Sequence, residues 1–298
     1  MSERGGTREA TLTGPVLVFG GPYSNLEATT AVLEEARRRA IPPSNILCTG
    51  DLAAYCADPQ PVIDLLRAAG IRIVMGNCEE SLAAQAADCG CGFAADSACA
   101  VLADAWYRYA DSRVDAESRA WMRALPRRID LTIGGRRLAA IHGGVSEISR
   151  FVFATSDEAI EAELAAAGCD GVIGGHCGLP FTRQIDGRLW HNAGVVGMPA
   201  NDGTPRVWFS ILTPSRDGIA IEHRALAYDH AAAARKMRER GLPEGYAAAL
   251  ESGLWPSRDV LTAPELARCG RRLEPGAVMW RADRDGPAAC WPEAAAPS

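Results

Sequence analysis

The sequence lacks two features that would place it in whole classes of protein. It has no apolar run approaching the roughly 20 residues that cross a bilayer, and its N-terminus, MSERGGTREATLTG, lacks the apolar segment of a secretory signal. It also has no basic surplus, because 37 acidic side chains outnumber 31 basic ones and the net charge is −6. We therefore expect a cytoplasmic protein that binds a small molecule, and no membrane or nucleic-acid partner, since nucleic-acid binding depends on basic contacts to phosphates.

A third absence lies at the end of the first predicted strand. The segment VLVFGGPYSNLEA (16–28) predicts a buried strand over 15–20 and then a helix, with Ser24 and Glu27 as its capping box. Ligands usually bind at the carboxyl ends of strands in α/β proteins. The GGPY segment at 20–23 nevertheless offers no carboxylate, no imidazole and no phosphate-binding lysine.

The order of strands and helices predicts an α/β fold. Three predicted strands in the first 75 residues are each followed by a helical pattern, which is typical of a parallel sheet with crossover helices. We expect residues 1–13 to form a disordered tail and residues 14–256 to form one domain. Residues 257–298, rich in Pro, Arg and Ala, are expected to form a partly disordered C-terminal appendage.

Four predicted strands end in residues that can bind a metal ion. The segments are TGD, MGN, IHGG and GGH, and they contribute Asp51, Asn77, His142 and His176. Each side chain follows a buried strand beside glycines, which let the backbone turn sharply. One carboxylate, one amide oxygen and two imidazoles form a mixed oxygen and nitrogen set, which suits Fe, Zn, Mn or a similar divalent transition metal.

In this order the motifs resemble those of the calcineurin-like metallophosphoesterases, especially a bacterial branch whose first motif reads approximately S-D-I-H-G-N-L-E-A. The similarity extends from about residue 15 to about residue 256 and includes NLEATTAVLEEA, TGDLAAYCADPQP, VMGNCEE, AAIHGGV, GGHCGLPFTRQIDG, NAGVVGMP and ALAYDH. The resemblance implies a four-layer α/β/β/α sandwich. It also implies hydrolysis of phosphate esters by two metal ions that lie between the two sheets.

The resemblance implies that one of the two metal sites is retained. Asp51 matches the carboxylate that bridges both metals in the family, and Asn77, His142 and His176 match the other ligands of the second metal. Asp51, Asn77 and His142 are therefore expected to serve as catalytic residues as well as metal ligands. Cys78 is expected to be a further catalytic residue.

The other metal site is expected to be lost. Gly21 and Tyr23 stand where the family has an aspartate and a histidine, and Gly178 stands where it has the final histidine. Cys78 replaces the histidine that usually protonates the leaving group, a contribution worth about 10²- to 10⁴-fold in typical enzymes. We expect one divalent metal, with a second only if Cys or Tyr side chains replace the lost ligands.

Three cysteines fall within the motif segments and leave two interpretations open. Cys56, Cys78 and Cys177, together with the phenol of Tyr23, could extend the metal site or act as reactive thiols, since soft thiolates favour Fe, Zn or Cu(I). Alternatively, the three cysteines are small, buried side chains that fill a pocket without chemistry.

A second cysteine group stands in ADCGCGFAADSAC. Cys89, Cys91 and Cys99 lack the paired C-x₂-C spacing of a structural zinc site. They are candidates for a redox pair or for thiols on a flap over the metal pocket. The alternative is a glycine-rich loop with incidental cysteines.

These observations predict a divergent metal-dependent hydrolase with one retained metal site and a pocket modified by cysteines. A catalytically silent protein that binds a metal or another ligand is the first alternative. A thiol redox or metal-handling protein with a reversible Cys78–Cys177 link is the second. A homo-oligomer is compatible with all three.

Overall fold

The computed structural model describes residues 8–93 and 97–281. Within this part, the chain forms twelve strands and nine helices joined mostly by short loops. The strands are β1 (Arg8–Leu12), β2 (Val16–Phe19), β3 (Ile46–Cys48), β4 (Arg72–Ile73), β5 (Arg128–Ile133), β6 (Arg136–Ile141), β7 (Gly171–Gly174), β8 (Pro180–Ile185), β9 (Arg188–Ala193), β10 (Val207–Ser215), β11 (Gly218–Leu226) and β12 (Gly276–Arg281). The helices are α1 (Leu26–Arg38), α2 (Pro59–Ala69), α3 (Asn77–Ala84), α4 (Ala98–Asp111), α5 (Ala116–Arg123), α6 (Asp157–Ala167), α7 (His230–Glu239), α8 (Glu244–Ser252) and α9 (Ala263–Leu266).

The strands form two six-stranded sheets. Sheet 1 has the order β12-β11-β10-β2-β3-β4, and sheet 2 has the order β1-β5-β6-β7-β9-β8. In sheet 1 the neighbours β2, β3 and β4 are parallel, and in sheet 2 the neighbours β6, β7 and β9 are parallel. The carboxyl ends of each parallel set therefore meet at one edge of its sheet.

Side-chain alternation along the strands explains why the sheets stack. In β2, Val16 and Val18 join the apolar cluster between the two sheets, whereas Leu17 and Phe19 pack in the cluster that contains α1 and α2. Successive side chains of a strand point to opposite faces, so a strand that is apolar throughout is buried on both sides. Each large apolar side chain buried in this way contributes about 1.5–3 kcal/mol.

Sheet 2 follows the same rule. Leu138 and Ala140 of β6 face sheet 1, and Ala139 and Ile141 pack against Leu164 of α6 on the outer face. The layers are therefore helix, sheet, sheet and helix, and the α/β sandwich expected from the sequence is confirmed.

The ends of the described chain depart from expectation. The disorder expected for residues 1–13 is wrong for residues 8–12, which form β1 and pair in parallel with β5. Residues 276–281 lie in the segment that we assigned to an appendage, yet they form β12 at the edge of sheet 1. Trp280 anchors this strand, because its ring is buried between the sheets and its indole N–H donates to the Gly187 carbonyl oxygen at 2.9 Å.

The first helix begins one residue later than the capping box implied. Asn25 is the N-cap of α1, and its Oδ1 accepts a hydrogen bond from the backbone N–H of Ala28 at 3.1 Å. Ser24 adopts a positive φ of 58° and belongs to the preceding turn, so its side chain does not cap the helix. The Asn25 side-chain amide also donates to the Gly197 carbonyl, which fixes the loop after β2.

None of the helices in residues 8–93 and 97–281 is long and apolar enough to cross a membrane.

A small polar cluster is buried between the β8–β9 hairpin and sheet 1. Thr182 Oγ1 lies 2.9 Å from Nδ1 of His191 and 2.8 Å from Nε2 of His223, and His191 Nε2 lies 2.7 Å from Ser210 Oγ. Burial, reinforced by the neighbouring His223, lowers the pKa of His191, and burial lowers the pKa of His223 to about 4. Both imidazoles are therefore neutral in the folded protein near pH 7.

We predict that this cluster makes the fold acid-sensitive. The unfolded histidines bind protons below about pH 6.5 while the folded ones do not, so stability is complete above that pH and falls towards pH 4. For His223 alone the loss approaches about 3 kcal/mol, since one pKa unit corresponds to about 1.4 kcal/mol. Urea unfolding at pH 7.5, 6.0 and 4.5 would measure the loss. The loss of unfolding free energy on acidification should be markedly smaller in the His191→Gln/His223→Gln variant, with His230→Gln as the control. An unchanged pH dependence in the double variant would contradict the prediction.

Candidate metal centre and adjoining pocket

Four loops that follow strands bring the predicted ligand residues together. Asp51 lies three residues beyond β3, Asn77 opens α3, His142 directly follows β6, and His176 lies two residues beyond β7. All four side chains are buried or nearly so. Asp51 and His176 both adopt a φ of +59°, a conformation that L-residues rarely adopt and that clusters at functional sites.

The centre of the arrangement is Nε2 of His142. This atom lies 3.0 Å from Asn77 Oδ1, 3.1 Å from His176 Nδ1 and 3.3 Å from Asp51 Oδ2. Potential ligand atoms of Asp51, His142 and His176 all lie within 4.8 Å of one another. The structure therefore places side chains from both sheets around one small space.

Hydrogen bonds behind the cluster orient its lone pairs inward. Nδ1 of His142 lies 2.6 Å from the carbonyl oxygen of Thr49, which can only accept a hydrogen bond. Nδ1 therefore carries the hydrogen, and in the neutral ring Nε2 carries a lone pair. The Asn77 amide nitrogen donates to the Cys89 carbonyl at 2.9 Å, which turns its oxygen towards His142. With the Asp51 carboxylate, three electron-pair donors face one another and repel unless a proton or a cation lies among them. This donor set fits a divalent transition metal.

The pKa values of Asp51, His142 and His176 reflect how closely these side chains are packed together. Burial alone would raise the pKa of Asp51, but the charge and hydrogen bond of His142 lower it below its usual range. Burial alone would lower the pKa of His142, but Asp51 raises it above its usual value. Burial and the neighbouring His142 lower the pKa of His176 to about 3. Asp51 is thus ionised and His176 neutral, the protonation states that metal binding requires.

Glu79 supports the site and was not among the predicted residues. Its fully buried carboxylate accepts hydrogen bonds from the backbone N–H groups of Asp51, Leu52 and Gly76 at 2.7–2.9 Å. Burial, followed by the charge of Asp51, raises its pKa to about 7. The side chain ties the loop after β3 to the start of α3. An acidic residue three positions after the helix N-cap Gly76 was the signal available in the sequence.

The cysteines of the motif segments are buried neutral thiols, and Cys56 lies outside both the ligand cluster and the cavity lining. The backbone N–H of Cys78 donates to Asp51 Oδ1 at 3.2 Å, while burial and then Asp51 raise the pKa of its thiol. Cys177 Sγ accepts a hydrogen bond from the Asn192 side-chain amide at 3.2 Å, and burial raises its pKa to about 12. Cys56 Sγ faces the Gly197 carbonyl oxygen, and burial raises its pKa too.

No sulfur atom belongs to the ligand cluster found in the described residues, which consists of Asp51, His142 and His176. The geometry therefore gives no support to thiolate ligands. Cys78 and Cys177 are both free, so the reversible link between them is not formed in this structure.

The second cysteine group lies against the same site. Cys89 and Cys91, candidates for a redox pair or for flap thiols, are joined by a disulfide, whereas Cys99 is free. The Asn77 amide nitrogen, which donates to the Cys89 carbonyl, also lies 3.4 Å from Cys91 Sγ. Cys91 and Cys99 both line the cavity beside the metal-ligand cluster.

A cavity of about 700 Å³, including its mouth, opens onto Asp51 and His176. Its wall is mostly aromatic and aliphatic, with three cysteines. The lining residues are Tyr23, Asp51, Tyr55, Cys91, Phe93, Cys99, Phe151, His176, Cys177, Gly178, Val195, Met198, Tyr246, Trp255, Pro256, Ser257 and Val260.

Aromatic rings occupy the space beside the two glycines that the sequence singled out. A Cβ atom on Gly21, whose φ is +39°, would lie 2.5 Å from Cζ of Tyr23 and 2.7 Å from Cγ1 of Val195. A Cβ atom on Gly178 would lie 3.2 Å from Cζ2 of Trp255. Neither position has room for a larger side chain unless its aromatic neighbour moves.

We predict that Gly21→Asp destabilises the protein by about 1–3 kcal/mol beyond the cost of a positive φ, because overpacking forces buried neighbours from their preferred rotamers. Gly14→Asp is the matched control, since Gly14 has a φ of +77° and nothing within 4 Å of an added Cβ. Adding Tyr23→Ala to Gly21→Asp should recover part of the loss. Equal urea midpoints for Gly21→Asp and Gly14→Asp would contradict the prediction.

Comparisons with known proteins agree with this fold. The chain is 22% identical to a metallophosphoesterase from Sphaerobacter thermophilus, with 82% of this chain and all of that chain covered and a TM-score of 0.63. It is 16% identical to a hypothetical protein from Pyrococcus horikoshii OT3, with 81% and 99% covered and a TM-score of 0.68. Identities this low show a shared fold alone.

Sequence comparisons go beyond the shared fold and identify the family. The chain is 27% identical over 247 residues to an uncharacterized protein of Methanocaldococcus jannaschii, which covers 77% of this chain and 94% of that protein. The model of the calcineurin-like phosphoesterase superfamily domain matches residues 22–215, which is more than half of the 298 residues. The match includes all four strand-end residues of the candidate metal centre. The chain therefore belongs to the calcineurin-like phosphoesterase superfamily.

Proposed function

We propose that the protein is a divergent hydrolase of phosphate esters that uses one divalent transition metal. Asp51, Asn77, His142 and His176 would hold the ion, and Fe, Zn and Mn suit their mixed oxygen and nitrogen set. The observation that carries the proposal is the convergence of Asn77 Oδ1, His176 Nδ1 and Asp51 Oδ2 on His142 Nε2, at 3.0–3.3 Å.

The chain's own residues account for how the site would work. A bound ion supplies Lewis-acid activation of water and of the phosphoryl oxygen. The Thr49 carbonyl holds His142 in the tautomer that presents Nε2, and the Cys89 carbonyl holds the Asn77 oxygen in place. Glu79 fixes the backbone that carries Asp51. His142, Asn77 and the backbone of Asp51 are thus held in place before any ion arrives, so these three ligands need little ordering on binding.

Slow turnover follows from two further features. The Tyr23 ring and the Trp255 indole lie where a second set of ligands would have to project from positions 21 and 178. Cys78 stands at the position of the family's proton-donating histidine, but burial raises the pKa of its thiol, which makes it a weak acid. Losing an effective general acid typically lowers a rate by about 10²- to 10⁴-fold.

A silent metal- or ligand-binding protein is the second candidate, favoured by the same occupied space at Gly21 and Gly178. The thiol redox alternative has less support, because a reactive thiol needs a lowered pKa and burial raises the pKa of both Cys78 and Cys177.

We predict that metal-stripped protein, reloaded separately with Mn²⁺, Zn²⁺ and Fe²⁺, hydrolyses bis(p-nitrophenyl) phosphate with at least one ion. His142→Ala and Asn77→Ala should lower kcat/KM by about 100-fold or more and abolish stoichiometric metal uptake, because each removes a ligand. Cys177→Ser should keep its metal, since no sulfur belongs to the cluster. His230→Gln controls for loss of a histidine elsewhere.

Three outcomes separate the candidates. Turnover that disappears on chelation and in His142→Ala supports the hydrolase. One bound metal per chain without turnover would replace it with the silent binder. Failure to take up any metal would contradict the hydrolase and leave a silent protein that binds another ligand.

A further inference from the structure

We infer that the site takes a phosphodiester whose organic part is aromatic or apolar, and that it discriminates against phosphate groups with more than one negative charge. The inference rests on the metal proposed above, whereas binding of the aromatic or apolar group can be tested without the metal. It is carried by the cavity that adjoins Asp51 and His176.

Aromatic rings reach the metal-ligand cluster itself. The ring centroid of Phe151 lies 4.3 Å from that of His176, and Phe93 stacks on Phe151 at 6.3 Å. A second group of rings also lines the cavity, where Tyr55 contacts both Tyr23 and Tyr246, with ring centroids at 4.7 and 4.8 Å. A group attached to a phosphate at the metal would therefore meet aromatic rings, an environment that recognises flat apolar groups.

The cavity offers no positive side chain to a polyanion. Among the described residues, its lining includes no lysine or arginine. Burying a charge without a partner is costly, and a chain of phosphates would have to leave several charges unpaired here.

The charge of the site favours a group with few negative charges. A divalent ion beside the Asp51 carboxylate and two neutral imidazoles leaves at most one positive charge, and the Glu79 carboxylate, buried behind Asp51, lowers that charge further when it is ionised. A phosphodiester brings one negative charge to this site, whereas a phosphate monoester near pH 8 brings two.

The first test uses metal-free protein and 2-naphthol, a neutral aromatic probe, in calorimetric titrations. The wild type should bind it, and Phe151→Leu should weaken binding at least fivefold, because leucine keeps an apolar wall but removes the ring. Val260→Arg, which puts a cation at the lining, should also weaken it. Val101→Arg is the matched control, since Val101 is 71% exposed and outside the lining. No binding of 2-naphthol, or equal binding in Phe151→Leu, would overturn the inference that the cavity binds an aromatic or apolar group.

The second test uses Mn²⁺-loaded protein at pH 8 and three probes. Methyl phenyl phosphate has one ring and one charge, dimethyl phosphate lacks the ring, and phenyl phosphate has a second charge. Methyl phenyl phosphate should bind at least tenfold more tightly than dimethyl phosphate and no more weakly than phenyl phosphate. Tighter binding of phenyl phosphate would overturn the charge limit, and equal binding of the two diesters would overturn the role of the ring.

The two tests separate this inference from the proposed function. Protein that binds 2-naphthol through Phe151 but takes up no Mn²⁺ would contradict the metal-dependent hydrolase and support the apolar site. Protein that takes up Mn²⁺ and binds phenyl phosphate most tightly would support the metal and contradict the substrate class.

Discussion

The candidate site depends on crowded electron-pair donors that need a proton or a cation among them. Asp51, Asn77 and His142 direct lone pairs into one buried space, and His176 adds a neutral imidazole. Carbonyl oxygens behind the cluster prevent the His142 ring and the Asn77 amide from turning away. A cation is the simplest partner for such a set, and the family to which the chain belongs supports that interpretation. The sandwich makes the convergence geometrically feasible, because parallel strands in both sheets end at the same edge.

Much of the fold could be predicted from local patterns. The apolar runs that become β2 and β7 are buried on both faces, and the Asp186-Gly187 turn adopts the positive φ values that its sequence predicts for a type I′ hairpin. Asp51 and His176 follow β3 and β7 closely, at the strand ends where the general rule for α/β proteins puts ligand groups. These structural features could be predicted because their physical cause lies within a few residues.

The errors share a different cause. Residues 8–12 are a short, partly polar segment beside a glycine-rich stretch, and pairing with β5, more than 100 residues away, is what makes them a strand. β12 likewise depends on β11 and on the buried Trp280. The aromatic wall of the cavity joins Tyr23, Phe151 and Trp255 from distant loops. No periodicity within the sequence connects such residues, so only the folded chain shows them together.

Anomalous diffraction at the zinc absorption edge, on crystals of the zinc-loaded protein, tests the central claim most directly. The account predicts one zinc ion per chain, bound by Asp51, Asn77, His142 and His176, with nitrogen ligands at about 2.0–2.1 Å. An ion bound by Cys78 or Cys177, a second ion beside Tyr23, or no ion among the four residues would contradict it.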